Sequence, residues 1–223
     1  MFNTNCIANP CIQTNPNVKC YIYYKKPKCL NENNSQKKNT VNDQLPYIIQ
    51  SIPKKLEIIP SLFNTGVDNN KKPLPTGSID PHYILITGPG LTKATTLSVV
   101  DLTNWKSNDE FSQWLGIPPH PNALPGDYQI LTTFNLQGFD IKTVSLKITC
   151  LVDNSIQDIL INNNSTGLQF SSYNTWSTEV VISKGFIQGL NTLKFLVNNG
   201  IAGRFNPSGL RVVIKGIGSY ASS

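Results

Sequence analysis

Four cysteines crowd the first thirty residues: Cys6, Cys11, Cys20 and Cys29. Four, eight and eight residues separate them in turn. Zinc sites draw on closely paired C-x-x-C ligands. No such pair occurs, so neither a metal nor any other cofactor is expected. Four thiols in a segment too short to bury itself point instead to disulfides, within the segment or between subunits. The spacing does not choose between these. Two histidines, His82 and His120, stand far from any cysteine in sequence, and nothing marks a Cys-His, Ser-His-Asp or His-metal arrangement. Asp153 and Asp158 are the carboxylate pair that could resemble a glycosidase couple. Asp153, however, falls where a turn is expected. No glycine-rich phosphate loop leads from a strand into a helix. The chain therefore reads as non-enzymatic. Trp105, Trp114 and Trp176, with Tyr173, could stack on sugar rings. Trp105 and Trp114 share a stretch with Leu102, Phe111 and Leu115, which favours packing. Trp176, flanked by Ser and Thr, and Tyr173 are the candidate glycan contacts.

The elements that must position these residues fall into two unequal parts. Residues 1–60 carry eight of the lysines against Glu32, Asp43 and Glu57, so most of the +6 net charge lies there. Such a bias suits attraction to an acidic polymer or a solvated tail. Aromatic residues do not interleave with Arg as a single-strand binder requires, so nucleic acid is not expected. The segment Val18–Tyr24 and the Pro-broken stretch Tyr47–Ile59 are its apolar patches. Pro46, Pro53 and Pro60 exclude a continuous helix or a central strand. The region reads as an extended arm, with Tyr21, Ile22, Tyr23, Ile48 and Ile49 as docking residues. No run approaches the roughly 20 apolar residues of a membrane span. Met1–Cys6 has neither the basic nor the apolar part of a secretory signal, so export by another route, or a signal already removed, is expected.

Residues 61–223 alternate with period two. Tyr128, Ile130, Thr132, Phe134 and Leu136 share one face, as do Val144, Leu146, Ile148, Cys150 and Val152. Leu193, Phe195 and Val197 repeat the pattern, and so do Leu210, Val212 and Ile214. Shorter strands are predicted over Tyr83–Thr87, Thr96–Val100, Ile156–Ile161 and Thr178–Ile182. Cys150 sits on an apolar face and is expected in the core as a small hydrophobe. Charged residues make up only 14% of the chain, and Asn, Ser, Thr and Gly fill the difference, which favours short strands joined by turns. Asn108–Leu115 and Gly185–Leu190 read as short helical turns. The expected fold is all-β: an antiparallel two-sheet sandwich of jelly-roll type behind an extended N-terminal arm.

Particular segments resemble galactose-binding-like jelly rolls of the carbohydrate-binding-module type. The run Asp153-Asn154-Ser155-Ile156 through Ile161-Asn162-Asn163-Asn164 to Gly167 is similar to a hairpin of that family, with Asn163 where the pattern has Gly. Gly189-Leu190-Asn191-Thr192-Leu193-Lys194-Phe195 resembles the start of its penultimate strand, and Gly209-Leu210-Arg211-Val212 its last. Phe63–Asp68 and Ile79–Tyr83 look like the beginning of such domains in cell-surface proteins. The resemblance covers about two-thirds of the chain and implies a fold more than a function. A Cys-bearing arm ahead of such a domain is similar in layout to subunits of bacterial endospore appendages, where arms reach neighbouring subunits and form disulfides. The expectation is a structural subunit of a self-assembling extracellular or spore-surface fibre. Its partner would be itself, head to tail, joined by arm docking and disulfides. The alternative is a carbohydrate-binding module of a surface protein. Either role places the chain outside the cell or on the surface of a cell or spore.

Overall fold

The computed structural model describes residues 55–200 and 206–221. The arm residues Cys6, Cys11, Cys20, Cys29, Tyr21, Ile22, Tyr23, Ile48 and Ile49 lie outside them, as do the disulfide and docking expectations that rest on those residues.

The regular structure of the described chain is all strand apart from one 3-10 turn. In order come β1 (Glu57–Ile58), β2 (Ile79–Thr87), β3 (Thr95–Val100), β4 (Trp114–Gly116), β5 (Gly126–Asn135) and β6 (Ser145–Ile161). After them come β7 (Asn164–Ser165), β8 (Phe170–Ser172), β9 (Val180–Ile182), β10 (Leu190–Asn199) and β11 (Gly209–Gly218). The long strands form where the sequence alternates. Every residue of the predicted inward set on β5 and β10, and on the first half of β6, is buried. Phe195, Phe134, Tyr83, Tyr128 and Leu85 meet there in one core. Burial of such side chains, at about 1.5–3 kcal/mol each, is the main stabilising term.

The two separate sheets expected from sequence are joined. All pairings are antiparallel, and β11, β4, β3, β2, β5, β10 and β6 follow one another by hydrogen bonding until β6 meets β11 again. The seven strands thus close into a ring. The cause is the length of β6. Its first half pairs with β11, from Ser145 opposite Ile217 to Asp153 opposite Gly209. Its second half pairs with β10, from Ser155 opposite Asn198 to Ile161 opposite Leu193. The sequence suggested two strands with a turn at Asp153, but the chain runs on as strand through Asp153-Asn154-Ser155. The turn expected at the Asn162-Asn163-Asn164 cluster is present: Asn162 and Asn163 are both at positive φ (50° and 66°), a conformation that Asn tolerates and tight hairpins use.

The two expected helical turns are absent, because side chains take the place of helical hydrogen bonds. Over residues 108–115, Asn108 Oδ1 accepts from the Trp114 amide, and Asp109 Oδ1 accepts from the Phe111 and Ser112 amides. Trp114 and Leu115 go into β4 instead. Over residues 185–190, the Asn191 amide accepts from Ile187 N and donates to the Ile187 and Gly189 carbonyls. Ile141–Thr143 is the one helical turn among the described residues, a single 3-10 turn. No helix of the described residues is long and apolar enough to cross a membrane.

The body begins before residue 61. Glu57 and Ile58 pair with Gly218 and Ile217 of β11, and Ile59 is fully buried.

Candidate functional site

The site is built on the outer face of the β6–β11 pair. Alternation predicts that Arg211, between inward-facing Leu210 and Val212, should look out to solvent. It is fully buried. The reason is the long connection from β3 to β4, which folds over that face and forms a second small core. Trp105, Trp114 and Leu151 make it up, with Val100, Leu102 and Trp176 packed at its edge. Leu151 lies opposite Arg211 in the strand register. The packing role expected for Trp105 and Trp114 is therefore the one they have: they are 5% and 0% exposed, with ring centroids 4.3 Å apart.

A buried guanidinium needs partners. Arg211 Nε donates to Ser112 Oγ at 2.8 Å and Nη1 to the Ser107 carbonyl at 2.6 Å. Its Nη2 lies 2.6 Å from Asp109 Oδ2, on a carboxylate that is itself part-exposed. Burial pulls the Arg211 pKa down, and Asp109 counteracts this. For Asp109, desolvation pushes the pKa up, but the Phe111 and Ser112 amides together with Arg211 outweigh it and hold the carboxyl below its ordinary range. Above Arg211 lies Trp176, with the guanidinium carbon 5.0 Å from the ring centre. A buried cation under an indole fixes the ring's position.

Trp176 stands between two depressions. One, of about 410 Å³, is bordered by Phe111, Asp109, Thr149 and Lys215. The other, of about 300 Å³, lies along β8 and is walled by Gln169, Phe170, Ser171, Ser177 and Thr178. Through Gln169, Phe170 and Ser171 it adjoins a further depression of about 540 Å³ that adds Ser155 and Gln157. Together these two form a groove with no charged residue in its lining. Ser155, Gln157, Gln169, Ser171 and Thr178 line this groove, and among the described residues their side chains make no hydrogen bond within the chain. Ser177 is committed, accepting from Cys150 N and donating to the Thr178 carbonyl.

Of the two candidate glycan contacts, Trp176 lines the groove. Tyr173 is 42% exposed on the connection after β8 and is not part of the groove lining; its carbonyl accepts from Lys106 N. Gln169, Phe170 and Ser171 escaped sequence reasoning because Gly167–Thr178 lacks period two, and only Tyr173 and Trp176 of its three aromatic residues stood out as candidates.

The remaining chemistry-bearing residues do structural work. Cys150 lies in the main core, and burial pushes its thiol pKa far up. The His82 ring stacks on Phe63 at 3.6 Å. Asp158 Oδ1 accepts from the Ile159 and Gly167 amides and so ties down the β6–β7 hairpin. Asp153 is nearly buried and accepts from Trp105 Nε1 at 2.9 Å. Desolvation raises its pKa, with the Trp105 bond opposing. The native state therefore takes up this proton before the unfolded chain as pH falls. The group's contribution is most favourable in acid and is lost as pH rises through the raised value. Asp153→Asn keeps the acceptor for Trp105 and removes the buried charge. It should be more stable than the parent at pH 7, by a margin that closes as pH falls toward 4, measured by urea unfolding at both values.

No protein-family model and no curated protein matches the chain. Among solved structures it is similar to a CBM35 from Paenibacillus barcinonensis, at 16% identity and a TM-score of 0.35, covering 67% of this chain and 100% of that one. It is also similar to the CBM36-1 domain of a multidomain xylanase from the hindgut metagenome of Trinervitermes trinervoides, at 13% identity and a TM-score of 0.29, covering 56% and 99%. These likenesses are weak, and the chain's own residues carry the functional reading.

Proposed function

We propose that this chain is a glycan-binding module that takes an uncharged saccharide into the groove along β8. The observation that carries the reading is the composition of that groove: unspent hydroxyl and amide groups from Ser155, Gln157, Gln169, Ser171 and Thr178, with an aromatic ring at Trp176. Saccharides present alternating hydroxyl groups and apolar ring faces. Unspent polar groups and a wet-edged aromatic ring match both. Arg211 beneath Trp176 holds the ring in place before ligand arrives, which lowers the ordering cost of binding. Placement outside the cell or on its surface goes with this role. The fibre-subunit reading draws on residues 1–60, and no observation among the described residues favours it.

The test is affinity electrophoresis through gels containing neutral polysaccharides, with titration of oligosaccharides from any that retard the protein. Gln169→Ala removes one exposed amide and should weaken binding roughly fivefold, a hydrogen bond's net worth of about 1 kcal/mol, with Tm unchanged. Trp176→Ala should weaken it about tenfold or more. Free migration through every neutral polysaccharide would count decisively against the proposal.

A further inference from the structure

The groove leaves unused the edge of the sheet where β1 lies. On one side β1 pairs with β11; on the other no strand follows among the described residues. The Ile59 amide bonds to the Gly216 carbonyl at 2.9 Å, so odd-numbered residues of this strand point their main-chain groups toward β11. In an antiparallel ladder the next residues point theirs the opposite way. The N–H and C=O groups of Leu56 and Ile58 are thus presented outward. Their side chains are 53% and 70% exposed, and Ile217, directly opposite Ile58, is 36% exposed on the same face. Ile58 and Ile217 also wall an apolar groove of about 420 Å³. Among the described residues this edge is unpaired and apolar, and such an edge is a template for another strand.

The charges on the edge say which strand. Lys55 and Glu57 lie two apart and so share a face; Lys55 Nζ is 2.6 Å from Glu57 Oε1. A lone lysine at an edge repels a second copy. A lysine followed two residues later by a glutamate does not. When two copies pair antiparallel about Leu56, each Lys55 lies opposite the partner's Glu57. The two Leu56 residues then meet on the other face, and their outward main-chain groups pair with each other. Shifting the centre to residue 57 places Glu57 against Glu57, which like-charge repulsion disfavours. We propose that β1 is a self-complementary edge through which two copies of this chain pair as a two-fold symmetric dimer. The contact is isologous, so it closes on itself instead of propagating. It is independent of the glycan groove.

The proposal is tested by sedimentation velocity of the full chain over a concentration series, in reductant so that cysteine cross-links do not contribute. The wild type should show a reversible monomer–dimer equilibrium. Lys55→Glu sets Glu against Glu at both symmetry-related pairs, and Glu57→Lys sets Lys against Lys. Each variant alone should dimerise roughly tenfold more weakly. An equimolar mixture of the two restores both opposite-charge pairs and should recover the wild-type dimer, which also shows that each variant is folded. A monomer at every concentration overturns the proposal. So does a dimer indifferent to both substitutions, an open-ended assembly, or a mixture no tighter than its components.

Discussion

Arg211→Ala should lower the unfolding free energy by about 2–5 kcal/mol, the range for cutting a large buried side chain to Ala, to which the polar groups left unpaired contribute. The side chain is fully buried yet binds Ser112 Oγ, the Ser107 carbonyl and Asp109. Its removal leaves the Ser107 carbonyl and the Ser112 hydroxyl under the β3–β4 connection without their donors. It opens a void between β11 and that connection and takes away the cation beneath Trp176. Arg211→Met restores volume without charge and should recover part of the loss but not all of it, because each orphaned polar group still costs about 1–3 kcal/mol. Both variants should also weaken saccharide binding, since an unsupported indole must be ordered on binding. Denaturant unfolding and oligosaccharide titration check the two effects separately. A fully stable Arg211→Met would mean that the guanidinium acts only as filler.

Gly66→Ala should cost about 2–5 kcal/mol, on two independent grounds. Gly66 has φ +68°, where a side chain costs about 1–2 kcal/mol. A methyl group there would also lie 2.2 Å from Gln113 Cβ and 3.0 Å from Gln113 Cα, and such overpacking costs about 1–3 kcal/mol. Gln113 cannot yield easily. It is buried, its amide bonds to the Thr65 carbonyl, and its carbonyl accepts from Thr65 Oγ1. The Gly66 amide is itself held by Asp80 Oδ2 at 2.6 Å. Displacing Gln113 shifts the chain on either side of it, Asp109 and Ser112 included, and those residues hold Arg211. A fall in Tm accompanied by weaker saccharide binding is the expected signature. A change in Tm alone would mean that the loop absorbs the methyl group locally.

The Gly66 and Arg211 predictions depend on one arrangement: the β3–β4 connection lying over an outward strand face. Nothing in the local pattern of β11 announces it. By alternation Arg211 belongs with Val213 and Lys215 on the exposed side, and Lys215 is indeed exposed. Only the chain folded over Arg211 makes it a buried anchor. The same limit applies to Asp153-Asn154-Ser155, three polar residues that read locally as a turn. They continue as strand because Asp153 finds Trp105, 48 positions away, and because β11 and β10 supply ladder partners on either side.

By itself the sequence determined the all-β class, the inward faces of β5, β6, β10 and β11, the burial of Cys150 and the Asn162-Asn163 turn. These follow from side-chain alternation and backbone preference within a few residues. Tertiary structure alone decided that β6 bridges its neighbours into a closed ring, that Arg211 is interior, and that Trp176 meets Gln169, Phe170 and Ser171 along one uncharged groove. Each of those outcomes depends on which distant segment comes to cover a given strand face, and the energy of that cover is not written in the residues of the strand it covers.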